Sequence, residues 1–149
     1  MPDRKQHAKD SNDCLSVVVA DQASVSLAAV VAILEMDAEI TVVGQASNGL
    51  ALMKLVGELE PDVVVTDVRM PIMDGLSAVE ELKEHWPGIQ VVVLSLECCA
   101  YGDALAAGAD AFVAKGDPAQ ALLAAVHSEP GATQLGARGG GRKGEGGDA

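Results

Sequence analysis

Five short apolar runs alternate with five stretches of helical periodicity, and no other feature of this chain restricts its fold so strongly. The runs are Leu15–Ala20 (LSVVVA), Ile40–Ala46 (ITVVGQA), 62–66 (DVVVT), Gln90–Ser95 (QVVVLS) and Ala111–Ala114 (AFVA). Val-rich runs of this kind suit strands buried on both faces, as in a parallel sheet. Between them, Ser24–Glu35 carries Val25, Leu27, Val30, Val31, Ile33 and Leu34 at helical spacing. Asn48 stands as the N-cap of a second helix through Leu52, Leu55, Val56 and Leu59, which Pro61 stops. Gly75 opens a third, with Leu76, Val79 and Leu82 on one face, ending near Trp86-Pro87-Gly88. Ala100–Ala107 is a short fourth, closed by Gly108. A fifth holds Leu122, Leu123 and Val126, with Asp117 as its cap and Pro118 at its first position.

Strand and helix thus follow one another five times. Crossovers of that length require parallel strands, and right-handed connections put helices on both faces of the sheet. The expected fold is a single α/β domain, a doubly wound five-stranded parallel sheet of the flavodoxin-like kind with strand order 2-1-3-4-5. Ligands of such sheets bind at the carboxyl ends of the strands. The core must come from Val, Leu, Ile and Ala, because the only aromatic residues are Trp86, Tyr101 and Phe112.

The domain is expected over residues 14–127. The polar segment 1–13 reads as a disordered lead with no apolar stretch of the signal-peptide type. Residues 128–149 are Gly-rich without apolar periodicity and read as a flexible tail. No apolar run reaches the roughly 18 residues of a membrane span, and a cytoplasmic protein is expected. Net charge is −12, and residues 14–127 carry all of it, with 16 acids against 4 bases. Such a surface repels phosphate backbones and argues against direct DNA binding. Cys14, Cys98 and Cys99 form neither a disulfide framework nor a zinc pattern, and are read as small core or helix residues. His7, His85 and His127 lack Cys or acid partners at ligand spacing, and acids such as Asp37, Glu39 and Glu81 read as solvated faces.

At the strand ends the polar residues are Asp21 after the first, Asp67 after the third, Ser95 at the fourth and Lys115 after the fifth. Carboxylates, a hydroxyl and a lysine on one edge are what phosphoryl transfer onto an aspartate needs. Carboxylate oxygens suit a hard cation such as Mg²⁺, lysine offsets charge, and the chemistry is mostly positioning and neutralisation.

The stretch 61–75 (PDVVVTDVRMPIMDG) resembles the phosphorylation loop of two-component response regulator receiver domains. Val92-Val93-Leu94-Ser95 resembles their switch strand, and 108–115 (GADAFVAK) their fifth strand with its lysine. The Asp-Val-Arg-Met-Pro wording and the Gly116-Asp117 that follow Lys115 look most like LuxR-type (NarL/FixJ-like) regulators, here without a helix-turn-helix output domain. The resemblance covers roughly 15–127. It implies that Asp67 accepts a phosphoryl group from a histidine kinase. It also implies Mg²⁺ held by Asp21, Asp67 and the backbone carbonyl of Arg69. Ser95 and Phe112 would be the switch pair, Phe112 turning inward as Ser95 moves, and Lys115 would pair with the phosphate. Asp74 and Gly75 are read as structural, one a cap and the other permitting a tight approach. A downstream protein partner is implied, and pairing of copies through their last helices is one option. No enzyme activity is expected: neither a Gly-x-Gly-x-x-Gly after the first strand nor a Gly-x-Ser-x-Gly elbow is present.

One departure stands out. The family has two adjacent acids after the first strand, and this chain reads Asp21-Gln22. Counted without a gap, Gln22 takes the second acid's place and would be a weak metal ligand. With a gap, one acid is deleted. Either register removes one carboxylate and predicts weaker Mg²⁺ affinity, with slow or absent phosphorylation. A phosphorylation-independent interaction module is therefore the alternative, as is a remnant of a transcription regulator, since 131–135 (GATQL) resembles the start of a LuxR-type linker.

Overall fold

The structure, a computed structural model, describes residues 14–96 and 100–128. The lead 1–13, the Gly-rich stretch 129–149 and the Cys98-Cys99 pair lie outside the described residues. The elements are β1 (Leu15–Ala20), α1 (Ser24–Glu35), β2 (Ile40–Ala46), α2 (Gly49–Leu59), β3 (Val63–Thr66), α3 (Gly75–His85), β4 (Gln90–Ser95), α4 (Ala100–Ala107), β5 (Ala111–Ala114) and α5 (Ala119–His127). All five strands are parallel, in the order β2-β1-β3-β4-β5. This is the flavodoxin-like fold expected from the alternation of elements.

Side chains of a strand point alternately to its two faces, and the core divides accordingly. Val18, Ala20, Val64, Val91, Val93 and Phe112 pack under α2, α3 and α4, against Leu52, Val56, Val79, Leu82 and Ala104. Val17, Val19, Val63, Val65, Val92 and Leu94 face the other way, onto Val30 and Leu34 of α1 and Leu122 and Val126 of α5. Central β3 and β4 are buried along their whole length, whereas edge strand β2 alternates between buried and exposed positions. Burial of each such Val or Leu contributes about 1.5–3 kcal/mol, so these paired faces set the fold.

Helix ends follow local chemistry. The Asn48 side chain accepts from Ala51 N at 2.8 Å and that of Asp74 from Ser77 N at 2.8 Å, as expected of N-caps. Glu60 takes a left-handed conformation (φ 46°) that ends α2 before Pro61. Asp117 departs from expectation. It does not cap α5, whose first helical residue is Ala119. Its carboxylate turns back and accepts from Ala114 N at 3.3 Å, bracing the turn after β5. Cys14 also differs from the core reading. It is exposed just ahead of β1, its thiol against Ala38 O at 3.5 Å. Among the described residues no helix is long and apolar enough to cross a membrane.

At the amino ends of the strands sits a buried polar clamp. Asp110 accepts from Val91 N at 2.8 Å and from Lys83 Nζ at 2.7 Å. Lys83 also donates to the carbonyls of Pro87 and Ile89. It ties α3 to β4 and β5 at the end of the sheet opposite the loops described next.

Candidate functional site

The parallel ladder runs one residue past the carboxyl ends of the strands, and this brings the polar residues together. Asp67 N donates to Ala20 O at 3.0 Å, Asp21 N to Ala46 O at 3.0 Å, and Lys115 N to Ser95 O at 2.9 Å. Because Ala20 pairs with Thr66 and Ser95 with Ala114, the next residues on β1 and β3 stand level, and Lys115 follows directly on β5.

Lys115 Nζ lies between the two carboxylates, 2.7 Å from Asp21 Oδ2 and 3.1 Å from Asp67 Oδ2. Its third contact is Ser26 Oγ at 2.8 Å. The three hydrogens of an ammonium are thereby all used. Ser26 in turn donates to Asp21 Oδ2 at 2.6 Å, and Asp21 Oδ1 accepts from Ala23 N at 2.9 Å. Asp67 Oδ1 accepts from Val68 N at 2.7 Å. Burial works hardest against the charge on Asp21. The hydrogen bonds from Lys115, Ser26 and Ala23 together outweigh it and hold the carboxyl below its ordinary pKa. Burial likewise opposes the charge of Lys115, and its bonds to Asp21 and Asp67 overcome that and raise its pKa.

Two glycines hold the loop that carries Asp67. Gly75 N donates to Val68 O and Gly49 N to Met73 O. A Cβ on Gly75 would fall 1.8 Å from Asp67 O, and one on Gly49 2.2 Å from Met73 O. Only glycine permits both approaches. The loop also carries Ile72 at φ 72°, a left-handed conformation that costs a β-branched side chain energy.

Ser95 is buried at the end of β4, 2% exposed, and Phe112 is also buried, its ring edge-on to Tyr101 at 5.6 Å. Phe112 therefore already lies inward. Gln22 and Arg69 are exposed and stand with Val68, Met70, Pro71 and Asp74 around an open depression beside Asp67. The donors at this end are all oxygen: the carboxylates of Asp21 and Asp67, the amide of Gln22 and the carbonyl of Arg69. Such a set fits a hard divalent cation in kind, and each carboxylate keeps lone pairs beyond those already engaged.

Sequence reasoning missed Ser26, because a serine within an apolar helix pattern carries no signal of its own. It also passed over Asp37 and His127. The structure pairs His127 Nε2 with Asp37 Oδ2 at 2.9 Å across 90 residues, with Glu39 alongside, so neither residue is simply a solvated or partnerless group. The bonds from His127 and Glu39 N hold the Asp37 carboxyl below its usual range. This cluster lies at the amino ends of the strands, away from Asp67.

Residues 17–127 match the family model of the response regulator receiver domain. The chain belongs to this family. The receiver is 39% identical over 104 residues to a protein-glutamate methylesterase/protein-glutamine glutaminase of Pseudoalteromonas translucida, covering 68% of this chain and 27% of that protein. It is 36% identical over 97 residues to the nitrate/nitrite response regulator NarL of Escherichia coli, covering 64% of this chain and 45% of that one. The chain thus spans less than half the length of these curated relatives. Among solved structures, the signal receiver domain of NarL from Mycobacterium tuberculosis superposes with a TM-score of 0.70 at 30% identity, covering 76% of this receiver and 93% of that chain.

Proposed function

We propose that this receiver accepts a phosphoryl group on Asp67 from the phosphohistidine of a kinase. In that transfer the P–N bond breaks as a P–O bond to the Asp67 carboxylate forms, and the departing imidazole takes a proton from solvent. The observation that carries the reading is Lys115 Nζ held between Asp21 and Asp67, a fixed positive charge where phosphoryl oxygens would gather. Asp21, Asp67, the carbonyl of Arg69 and, more weakly, Gln22 are the residues that would hold Mg²⁺. When bound, that ion would neutralise phosphoryl charge and align the phosphoryl group with the carboxylate. Ser95 would donate to a phosphoryl oxygen, and Phe112 beneath it would report that movement to the α4–β5 surface. Lys115 would follow the new charge on Asp67.

In function this is a phosphorelay module that presents a protein-interaction face to a downstream partner or to a second copy. The catalysis named for the methylesterase relative is that protein's own, since the match covers only 27% of it. By the likeness to NarL, the output would be transcription regulation in the cytoplasm. Incubation with a small phosphodonor and Mg²⁺ should add one phosphate by mass, and Asp67→Asn should abolish it. No mass shift at any donor concentration refutes the reading.

A second reading is favoured by one observation. The turn after β1 offers one buried carboxylate, Asp21, with an exposed Gln22 next to it. The domain would then bind its partner without phosphorylation. Absence of Mg²⁺ binding, together with partner binding insensitive to Asp67→Ala, supports this alternative.

A further inference from the structure

We infer that Ser26 is a positioning residue that sets where Lys115 rests, and with it how tightly the site takes a phosphoryl group. The inference rests on the phosphoacceptor reading of Asp67. Ser26 sits in the first turn of α1, half-buried, and its hydroxyl acts as both donor and acceptor in the cluster. It donates to Asp21 Oδ2 at 2.6 Å and accepts from Lys115 Nζ at 2.8 Å. Two of the three ammonium contacts, those at 2.7 and 2.8 Å, therefore pull toward β1 and α1. The contact to Asp67 is the longest of the three, at 3.1 Å.

An ammonium carries three hydrogens and no more. A hydrogen given to Ser26 is one withheld from Asp67 and from whatever that carboxylate carries. An alanine, valine or leucine at this position would offer no acceptor. The third N–H would then be left to water in the resting site, and would turn to Asp67 once that position gains negative charge on phosphorylation. Ser26 thus competes with the phosphoryl group for Lys115 and holds the resting site on the Asp21 side. The pairing also gives the serine its reason to be there, since a serine inside a helix otherwise bonds back to the preceding turn or points to water.

Two measurements test this on the full chain, with Ser26→Ala and the hydroxyl-retaining Ser26→Thr beside the parent. Alanine is the better helix former, so folding is expected in both. The first is the ¹⁵Nζ–H signal of Lys115 by NMR, without metal or phosphodonor. An ammonium with all three hydrogens bonded exchanges slowly and is visible at neutral pH. Ser26→Ala should broaden or lose the signal and Ser26→Thr should restore it. An unchanged signal in Ser26→Ala overturns the inference, whatever Asp67 does.

The second is the affinity for beryllofluoride with Mg²⁺, a phosphoryl stand-in. Ser26→Ala should bind roughly two- to ten-fold tighter, the equivalent of one exchanged hydrogen bond, and Ser26→Thr should match the parent. Equal or weaker binding by Ser26→Ala overturns the competition. If the parent itself takes up no beryllofluoride, the phosphoacceptor reading fails, and Ser26's hold on Lys115 stands or falls on the NMR signal.

Discussion

Replacing Gly75 by alanine tests whether the backbone around Asp67 is as tightly constrained as the geometry requires. The added Cβ would meet Asp67 O at 1.8 Å, Asp67 C at 2.9 Å and Val68 Cα at 3.0 Å. All three are backbone atoms, so no side-chain rotation relieves the contact. Real Cβ atoms stay beyond 3.0 Å, which means that the Asp67 peptide and the start of α3 must separate by about 1.2 Å. The Asp67–Lys115 contact is 3.1 Å, and a shift of that size takes it out of hydrogen-bond range. Overpacking of this kind costs about 1–3 kcal/mol, and a misplacement near 1 Å costs on the order of 100-fold in rate. Gly57→Ala is the control. Nothing lies within 4 Å of its Cβ position on exposed α2, so it should stabilise by about 0.5–1 kcal/mol and leave phosphorylation unchanged. Urea unfolding gives the stabilities, and mass-resolved phosphorylation, run where both variants are folded, gives the rates. Parent-like stability and rate in Gly75→Ala would refute the reasoning.

Three other outcomes follow from the same structure. The lowered pKa of Asp21 contributes stability that is present above the ordinary carboxyl value, about 3.9, and is lost as pH falls through the lower folded value. The raised pKa of Lys115 contributes stability present below about 10.4 and lost as pH rises through the higher folded value. In urea titrations across pH, the gap between the parent and Asp21→Asn should therefore be flat between these limits and shrink at the acid end; a gap independent of pH at that end contradicts the assignment. Ile72→Gly should raise stability by roughly 0.5–1 kcal/mol, because Ile72 is 77% exposed and its left-handed conformation suits glycine; a fall in the unfolding midpoint would count against the strain. Asp110→Asn should destabilise by roughly 3–5 kcal/mol, since it leaves the Lys83 ammonium without its anion beside a buried amide, and an unchanged urea midpoint would contradict the clamp.

Element order, sheet topology and the four strand-end residues were legible because each rests on a local signal. Val-rich runs mark strands, Asn48 and Asp74 sit directly before helical periodicity, and the 2-1-3-4-5 order follows from chain connectivity once the strands are parallel. What could not be read depends on contacts between distant residues. Ser26 meets Lys115 across 89 positions, and His127 meets Asp37 across 90. Asp117 had a plausible local role as a cap, yet the turn after β5 gave its carboxylate a competing donor in Ala114 N. Cys14 was misjudged because its burial is decided by where β1 enters the sheet, one residue later.

Among the described residues, Lys83 and Lys115 have all their ammonium hydrogens engaged, and the contrast between them bears on function. Lys83 faces one carboxylate, Asp110, and two backbone carbonyls, so its charge is matched one to one. That cluster joins α3 to the sheet. Lys115 faces two carboxylates and a neutral hydroxyl, two negative charges to its one positive. That surplus is tolerable because the Asp67 side chain keeps 14% of its surface in contact with solvent, and it lies at the carboxyl ends of β1 and β3, on the two sides of which the chain crosses over in opposite directions. A net negative, partly solvated carboxylate pair suits a hard cation. Gln22 beside it adds an oxygen but no charge, so the affinity of this end of the sheet for a divalent cation should fall steeply when either Asp21 or Asp67 is made neutral.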